Sequence, residues 1–247
     1  MPPSLDRDQY LARHDACDPS ALRGLTCRSV LAATAARAPG ASAYADGALR
    51  LTWGEVASRV DALASALARA GIGAGDVVGL HLPNSAAFAL AHFALAETGA
   101  VALPLHVPYG AAELQQLLAL TRAVACVVMC GDGEIKLAPL RATLPSLRAV
   151  VAADLGAASF SVDGSVRAAR PRPAGIAPDA PFCVVPTSGT ESAAPKLCMH
   201  SHDGLLSNAQ AFADECGASG DDVVIAASGY THLFGLLALH VSLIAGG

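Results

Sequence analysis

The sequence predicts an α/β fold: a doubly wound, mainly parallel sheet with helices on both faces. Between residues 53 and 152, short apolar strand-like runs alternate with helix-length segments. Alternation at that spacing joins parallel strands through crossover helices that cover both faces. Composition agrees, because the 247 residues are 53% hydrophobic and only 15% charged, too apolar for disorder and long enough to bury a core.

Taken in order, residues 1–25 lack periodicity and read as a surface arm. Thr26 opens a helix-like run that Pro39 and Gly40 stop. Asp46-Gly47 is a two-residue turn signal between two short strands. In Leu51-Thr52-Trp53-Gly54-Glu55, Thr52 and Glu55 have the spacing of a capping box. A helix over about 53–70 closed by Gly71, a strand at 77–82, a helix at 84–98 closed by Gly99 and a strand at 101–105 follow. The alternation continues with a helix after Tyr109, a strand at 124–129, a weak helix near 136–143 and a strand around 148–152. Residues 153–181, with repeated Gly and Pro, read as a long connection. Strands at 182–185 and 197–200, a helix at 203–215, a strand at 223–227 and an apolar helix from Leu233 complete the chain.

The longest apolar runs, 86–96 and 234–245, fall short of the roughly 20 residues of a membrane span and read as buried helices. Asp6, Arg7 and Asp8 follow Met1 without an apolar stretch, so no signal peptide is expected and the cytoplasm is the default location. Seven Cys are scattered without paired C-x-x-C spacing, which argues for buried thiols and against a metal site. A net charge of −5 with no dense basic block argues against nucleic acid as a partner.

The run from Val184 to His202, V-V-P-T-S-G-T-E-S-A-A-P-K-L-C-M-H-S-H, carries the chemistry. Thr187, Ser188 and Thr190 bring hydroxyl and backbone donors, Gly189 permits close approach, and Lys196 adds a point charge, as a polyphosphate requires. No G-x-x-x-x-G-K-[ST] is present, so the loop is not a Walker A motif. An ordinary polar loop is the bland alternative on composition alone.

The loop resembles the T-S-G-T-T-G-x-P-K signature of the adenylate-forming superfamily, which includes acyl-CoA synthetases, peptide-synthetase adenylation domains and luciferases. In the same order, Leu51–Val56 resembles L-T-Y-x-E-L, and Gly75–Leu80 with Pro83-Asn84-Ser85 resembles G-D-x-V-x-[IL]…P-N-S. Glu97–Leu105 resembles K-A-G-A-V-x-x-P-L, and Tyr230–Gly235 resembles P-L-F-H-x-x-G.

The resemblance implies ATP with Mg²⁺ as cofactors, a small-molecule carboxylic acid as substrate, and CoA or a carrier-protein thiol as acceptor. It assigns Thr187, Ser188, Gly189, Thr190 and Lys196 to the outgoing phosphates and His232 to the acyl carboxylate and α-phosphate. Glu191 and Ser192 stand where Thr and Gly are usual, the interval to Pro195-Lys196 is one residue longer, and Gly229 replaces a proline. An added carboxylate beside triphosphate repels it unless Mg²⁺ or Lys196 intervenes, so weaker ATP binding is expected. His202 reads as structural, with Ser201 and Asp203 at the entry to the next helix; His92, His106 and His240 read as core or supporting residues.

The family's Y-G-x-T-E segment with its Mg²⁺-binding acid, its ribose-gripping aspartate and its C-terminal domain find no match in the 51 residues after Lys196. The expectation is therefore the N-terminal portion of an acid–thiol ligase, inactive alone. The alternatives are a non-catalytic nucleotide-binding or interaction module, one half of a split enzyme, and a homodimer built on the apolar last helix. A Rossmann dehydrogenase is disfavoured because no G-x-G-x-x-G follows a strand.

Overall fold

The computed structural model describes residues 24–164, 168–187 and 195–246. Most of the expected N-terminal arm lies outside these. Helix α1 (Cys27–Arg37) begins where Thr26 and Ser29 close a capping box. Strands β1 (Ser42–Asp46) and β2 (Leu49–Thr52) form an antiparallel hairpin. Its turn differs by one residue from the expectation: Asp46 pairs with Leu49, so Gly47 and Ala48 make the turn. Gly47 takes φ +55°, the left-handed region that a residue without Cβ enters freely.

Helix α2 (Trp53–Arg69) starts from the expected box, with the Glu55 carboxylate accepting from the Thr52 amide at 2.8 Å. The alternation then proceeds through β3 (Val77–His81), α3 (Ala86–Thr98), β4 (Val101–Pro104), α4 (Ala111–Leu120), β5 (Ala125–Met129), α5 (Asp132–Thr143) and β6 (Ala149–Asp154). Helix α5 begins four residues earlier than expected. The Glu134 carboxylate accepts from the Gly131 amide at 2.9 Å, and Asp132 and Glu134 both favour the positive end of the helix dipole.

Residues 153–181 do not form one uninterrupted connection, because β7 (Ser159–Gly164) turns back antiparallel onto β6. β8 (Pro181–Thr187), β9 (Lys196–Ser201), α6 (His202–Cys216) and α7 (Leu233–Ala245) follow.

The seven-stranded sheet has the order β7-β6-β5-β3-β4-β8-β9, parallel through the middle five strands and antiparallel at both edges. Alternate residues face opposite layers: Val78 and Leu80 pack toward α2 and α3, while Cys126 and Val128 pack toward α4 and α5. α3 is buried at every position but Glu97, which reaches Arg28 of α1 at 3.1 Å. At the base of the sheet, the Asp76 carboxylate takes Arg148 at 3.2 Å and Arg170 at 2.9 Å, tying the starts of β3 and β6 to the segment before β8.

Residues 223–227 are a correction to the sequence reading. Their side chains alternate outward and inward as in a strand, with Val223 and Ile225 87% and 83% exposed, yet they join no ladder among the described residues. β-branched pattern alone makes a pleated segment; a sheet also needs a neighbour.

Candidate functional site

The candidate site lies along the carboxyl ends of the parallel strands, the usual position for ligands in open α/β sheets. β3 ends at His81, the chain leaving β4 reaches His106, and β8 ends at Thr187. β9 returns antiparallel from Lys196, whose register partner is Thr187. The Thr187 hydroxyl donates to the Lys196 carbonyl at 3.4 Å, and both residues are exposed. The two described ends of the 187–196 segment thus stand side by side. Ser188, Gly189 and Thr190, with Glu191 and Ser192, lie outside the described residues.

His232 sits at the N-cap of α7 and is exposed. Its loop is held by Asn84 of the Pro83-Asn84-Ser85 stretch. The Asn84 side-chain amide donates to the carbonyls of Ala226 at 3.1 Å and Ser228 at 2.6 Å, and its oxygen accepts from the Tyr230 amide at 2.7 Å. A Cβ on Gly235 would collide with the Gly229 carbonyl, so glycine in the first turn of α7 lets this loop fold back. The free N–H groups and dipole of that turn favour negative charge beside His232.

His106 is the site residue that sequence reasoning placed least well. Its ring centroid is 4.4 Å from that of His232 at 64°, and its Nδ1 is 3.2 Å from the Thr231 hydroxyl. Burial, then the neighbouring His232, lowers the pKa of His106. His81 is nearly fully buried, with Nε2 3.2 Å from the Val107 carbonyl. Burial, then Lys136, lowers its pKa as well. Only the short spacing from β4 to His106 could have signalled its place, and which strand end faces α7 is set by strand order.

His92, His202 and His240 are core groups. His92 Nε2 and His240 Nε2 are 3.2 Å apart, and the His240 Nδ1–H donates to the Leu236 carbonyl at 2.8 Å. His202 stacks on Phe182 at 4.2 Å and accepts at Nδ1 from the Cys27 amide at 3.3 Å. Ser201 caps α6 through the Gly204 amide and bonds Asp203 at 2.6 Å. No helix is long and apolar enough to cross a membrane, and no group of three or more His, Cys, Asp or Glu is arranged for a metal among the described residues. Thr187 and Lys196 offer a hydroxyl and an ammonium, groups that suit phosphate oxygens.

Fold and site together define an α/β protein in which the paired Thr187 and Lys196 stand at the carboxyl end of β8 and His232 at the N-terminus of α7. The AMP-binding enzyme family model matches residues 31–247, and the chain belongs to that family. It is 37% identical over 235 residues to Protein Y of Streptomyces griseus, spanning 92% of this chain and 76% of that one. To the salicyl-AMP ligase / salicyl-S-ArCP synthetase of Mycobacterium tuberculosis it is 34% identical, covering 86% of this chain but 40% of that enzyme. The apo structure of Mycobacterium smegmatis MbtA superposes with a TM-score of 0.77 at 29% identity, over 98% of this chain and 46% of MbtA. The chain thus spans less than half of those two longer proteins.

Proposed function

We propose that this chain supplies the phosphate-loop and acid-facing part of an ATP-dependent ligase that activates a carboxylic acid as its acyl-adenylate and passes it to CoA or a carrier-protein thiol. The observation that carries this reading is the opposition of Thr187 and Lys196 at the end of β8, at the same edge of the sheet as His232. In the first step a carboxylate oxygen bonds the α-phosphorus as the α–β phosphoanhydride breaks, and pyrophosphate leaves. In the second the thiol sulfur bonds the acyl carbon, AMP leaves, and the thiol proton passes to solvent.

Thr187, with Ser188, Gly189 and Thr190, holds the β- and γ-phosphates, and Lys196 neutralises charge that grows on the departing pyrophosphate. His232 and the first turn of α7 donate toward the carboxylate and α-phosphate oxygens. Mg²⁺, when bound, would supply neutralisation of phosphate charge. No group of three or more His, Cys, Asp or Glu arranged for it is found among the described residues. The acid belongs to the aryl or acyl class activated by the longer relatives.

Calorimetric titration with MgATP tests the reading. The 247-residue chain should bind MgATP, and Lys196→Ala should weaken binding about tenfold, the scale of one charge-assisted contact. ATP–pyrophosphate exchange with a panel of carboxylic acids should be near background for this chain alone. Absence of MgATP binding would sink the reading; binding unaffected by Lys196→Ala would sink the loop assignment. Saturable binding that never yields exchange, even with a complementing second polypeptide, would favour a non-catalytic nucleotide-binding module.

A further inference from the structure

We infer that His106 is a positioning residue for His232: its anchored ring fixes the orientation of the His232 imidazole at the start of α7. This inference rests on the assignment of His232 to the acid and α-phosphate. An exposed imidazole without a partner samples several rotamers, and ordering it costs entropy that some contact must offset. Among the described residues the His232 ring makes no hydrogen bond, and its ring contact is with His106, 4.4 Å away and steeply inclined. That separation is at the short end of the range in which aromatic pairs attract, and edge-to-face geometry is the preferred one.

His106 is itself held by two neighbours, Thr231 and Tyr109. Its Nδ1 meets the hydroxyl of Thr231, which is 7% exposed. Tyr109 lies against its other side at 5.3 Å and 75°, and the Tyr109 amide donates to the His106 carbonyl at 2.9 Å. Thr231 is the chain neighbour of His232, so the contact closes a small ring of groups: Thr231 orients His106, and His106 orients His232. Burial, then the neighbouring His232, lowers the His106 pKa, which disfavours the charged form of the ring that faces His232.

Histidine-detected ¹H–¹⁵N NMR on the 247-residue chain reads this directly. In the native chain, His232 ring protons should show inter-ring NOEs to His106 and shifts displaced by its ring current. His106→Ala should return them to the values of a free histidine, while His106→Phe, which keeps an aromatic wall, should retain the displacement. The signals of His92, His202 and His240 report whether the core is intact. Displacement that persists in an intact His106→Ala chain overturns the inference. Should the alanine variant fail to fold, loss of displacement in His106→Phe overturns it and retention supports it.

A non-hydrolysable acyl-sulfamoyl adenosine supplies the second arm. His232→Ala and His106→Ala should each weaken its binding about tenfold, and His106→Phe by less than about threefold. Native-like binding by His232→Ala, or no binding by the native chain, removes the assignment of His232 and leaves the NMR result to judge His106. Weak binding by His232→Ala beside native-like binding by His106→Ala overturns the inference and leaves that assignment standing.

Discussion

Asn84 shows how one amide can organise a loop that no regular element stabilises. Its three hydrogen bonds satisfy two carbonyls and one N–H in the segment that carries Tyr230 and His232. Asn84→Ala leaves those groups without protein partners, and we expect a loss of about 1–3 kcal/mol, read as a lower denaturation midpoint, together with faster hydrogen exchange at the Tyr230 amide. Asn84→Asp should keep the Tyr230 bond and lose the two donated ones. The motif Pro83-Asn84-Ser85 was legible in the sequence as part of a family pattern, but not its role. Its partners lie more than 140 positions away, and no local rule connects them. Lys196 is the opposite case, since its place after a hydroxyl-rich run is visible locally, and the family resemblance then assigns it to phosphate. Because Lys196 is exposed, its contribution to MgATP binding should also decline as salt rises from about 0.05 to 0.5 M.

At the scale of elements, the caps were the most legible features. Thr26, Thr52, Gly71 and Gly99 act within a few residues, so their chemistry is written locally, and Gly71 and Gly99 adopt φ of +77° and +71°. Strand β7 was missed because its apolar pattern is weak and its Gly-containing surroundings resemble a loop. It forms because β6 offers an open edge. The segment 223–227 failed in the other direction: its pattern is strand-like, but among the described residues it pairs with no strand. A segment with two outward β-branched side chains and no strand partner among the described residues favours self-association. Ile225→Lys should leave the unfolding midpoint within about 0.5 kcal/mol and reduce concentration-dependent light scattering. Equal scattering by the two proteins would show that this face stays unpaired in solution. Gly235→Ala should be costly instead, about 1–3 kcal/mol, because the added Cβ meets the Gly229 carbonyl and the loop must shift.

For the whole molecule, three buried histidines join α1, α3, α6 and α7 around Phe182. Burial pushes His202 and His240 down to about 4, and lowers His92 well below the usual range, with neighbouring imidazoles adding to the shift in His92 and His240. Unfolded, each would titrate near 6.5. Between those values the unfolded chain binds more protons than the folded one, so stability is full above about pH 6.5 and falls as pH drops toward about 4. His240 and His202 each contribute a loss on the order of 3 kcal/mol across that window. Urea midpoints between pH 7.5 and 4.5 should trace the decline. Replacing His92 and His240 together by leucine should flatten it, and an unchanged slope would place the pH dependence elsewhere.

The sequence by itself determined the fold class, the direction of the central strands, the caps and the family motif of the phosphate loop, because periodicity, turn chemistry and short motifs act over a few residues. Only the tertiary structure decided the strand order β7-β6-β5-β3-β4-β8-β9, which segments found a neighbour, and which histidines meet. Sheet order brings the end of β4 beside the start of α7, so His106 meets Thr231 across 125 positions of sequence and faces His232, while His92 and His240 are drawn into the core. These are outcomes of packing between distant elements, where the free energy resides in contacts that no single stretch contains.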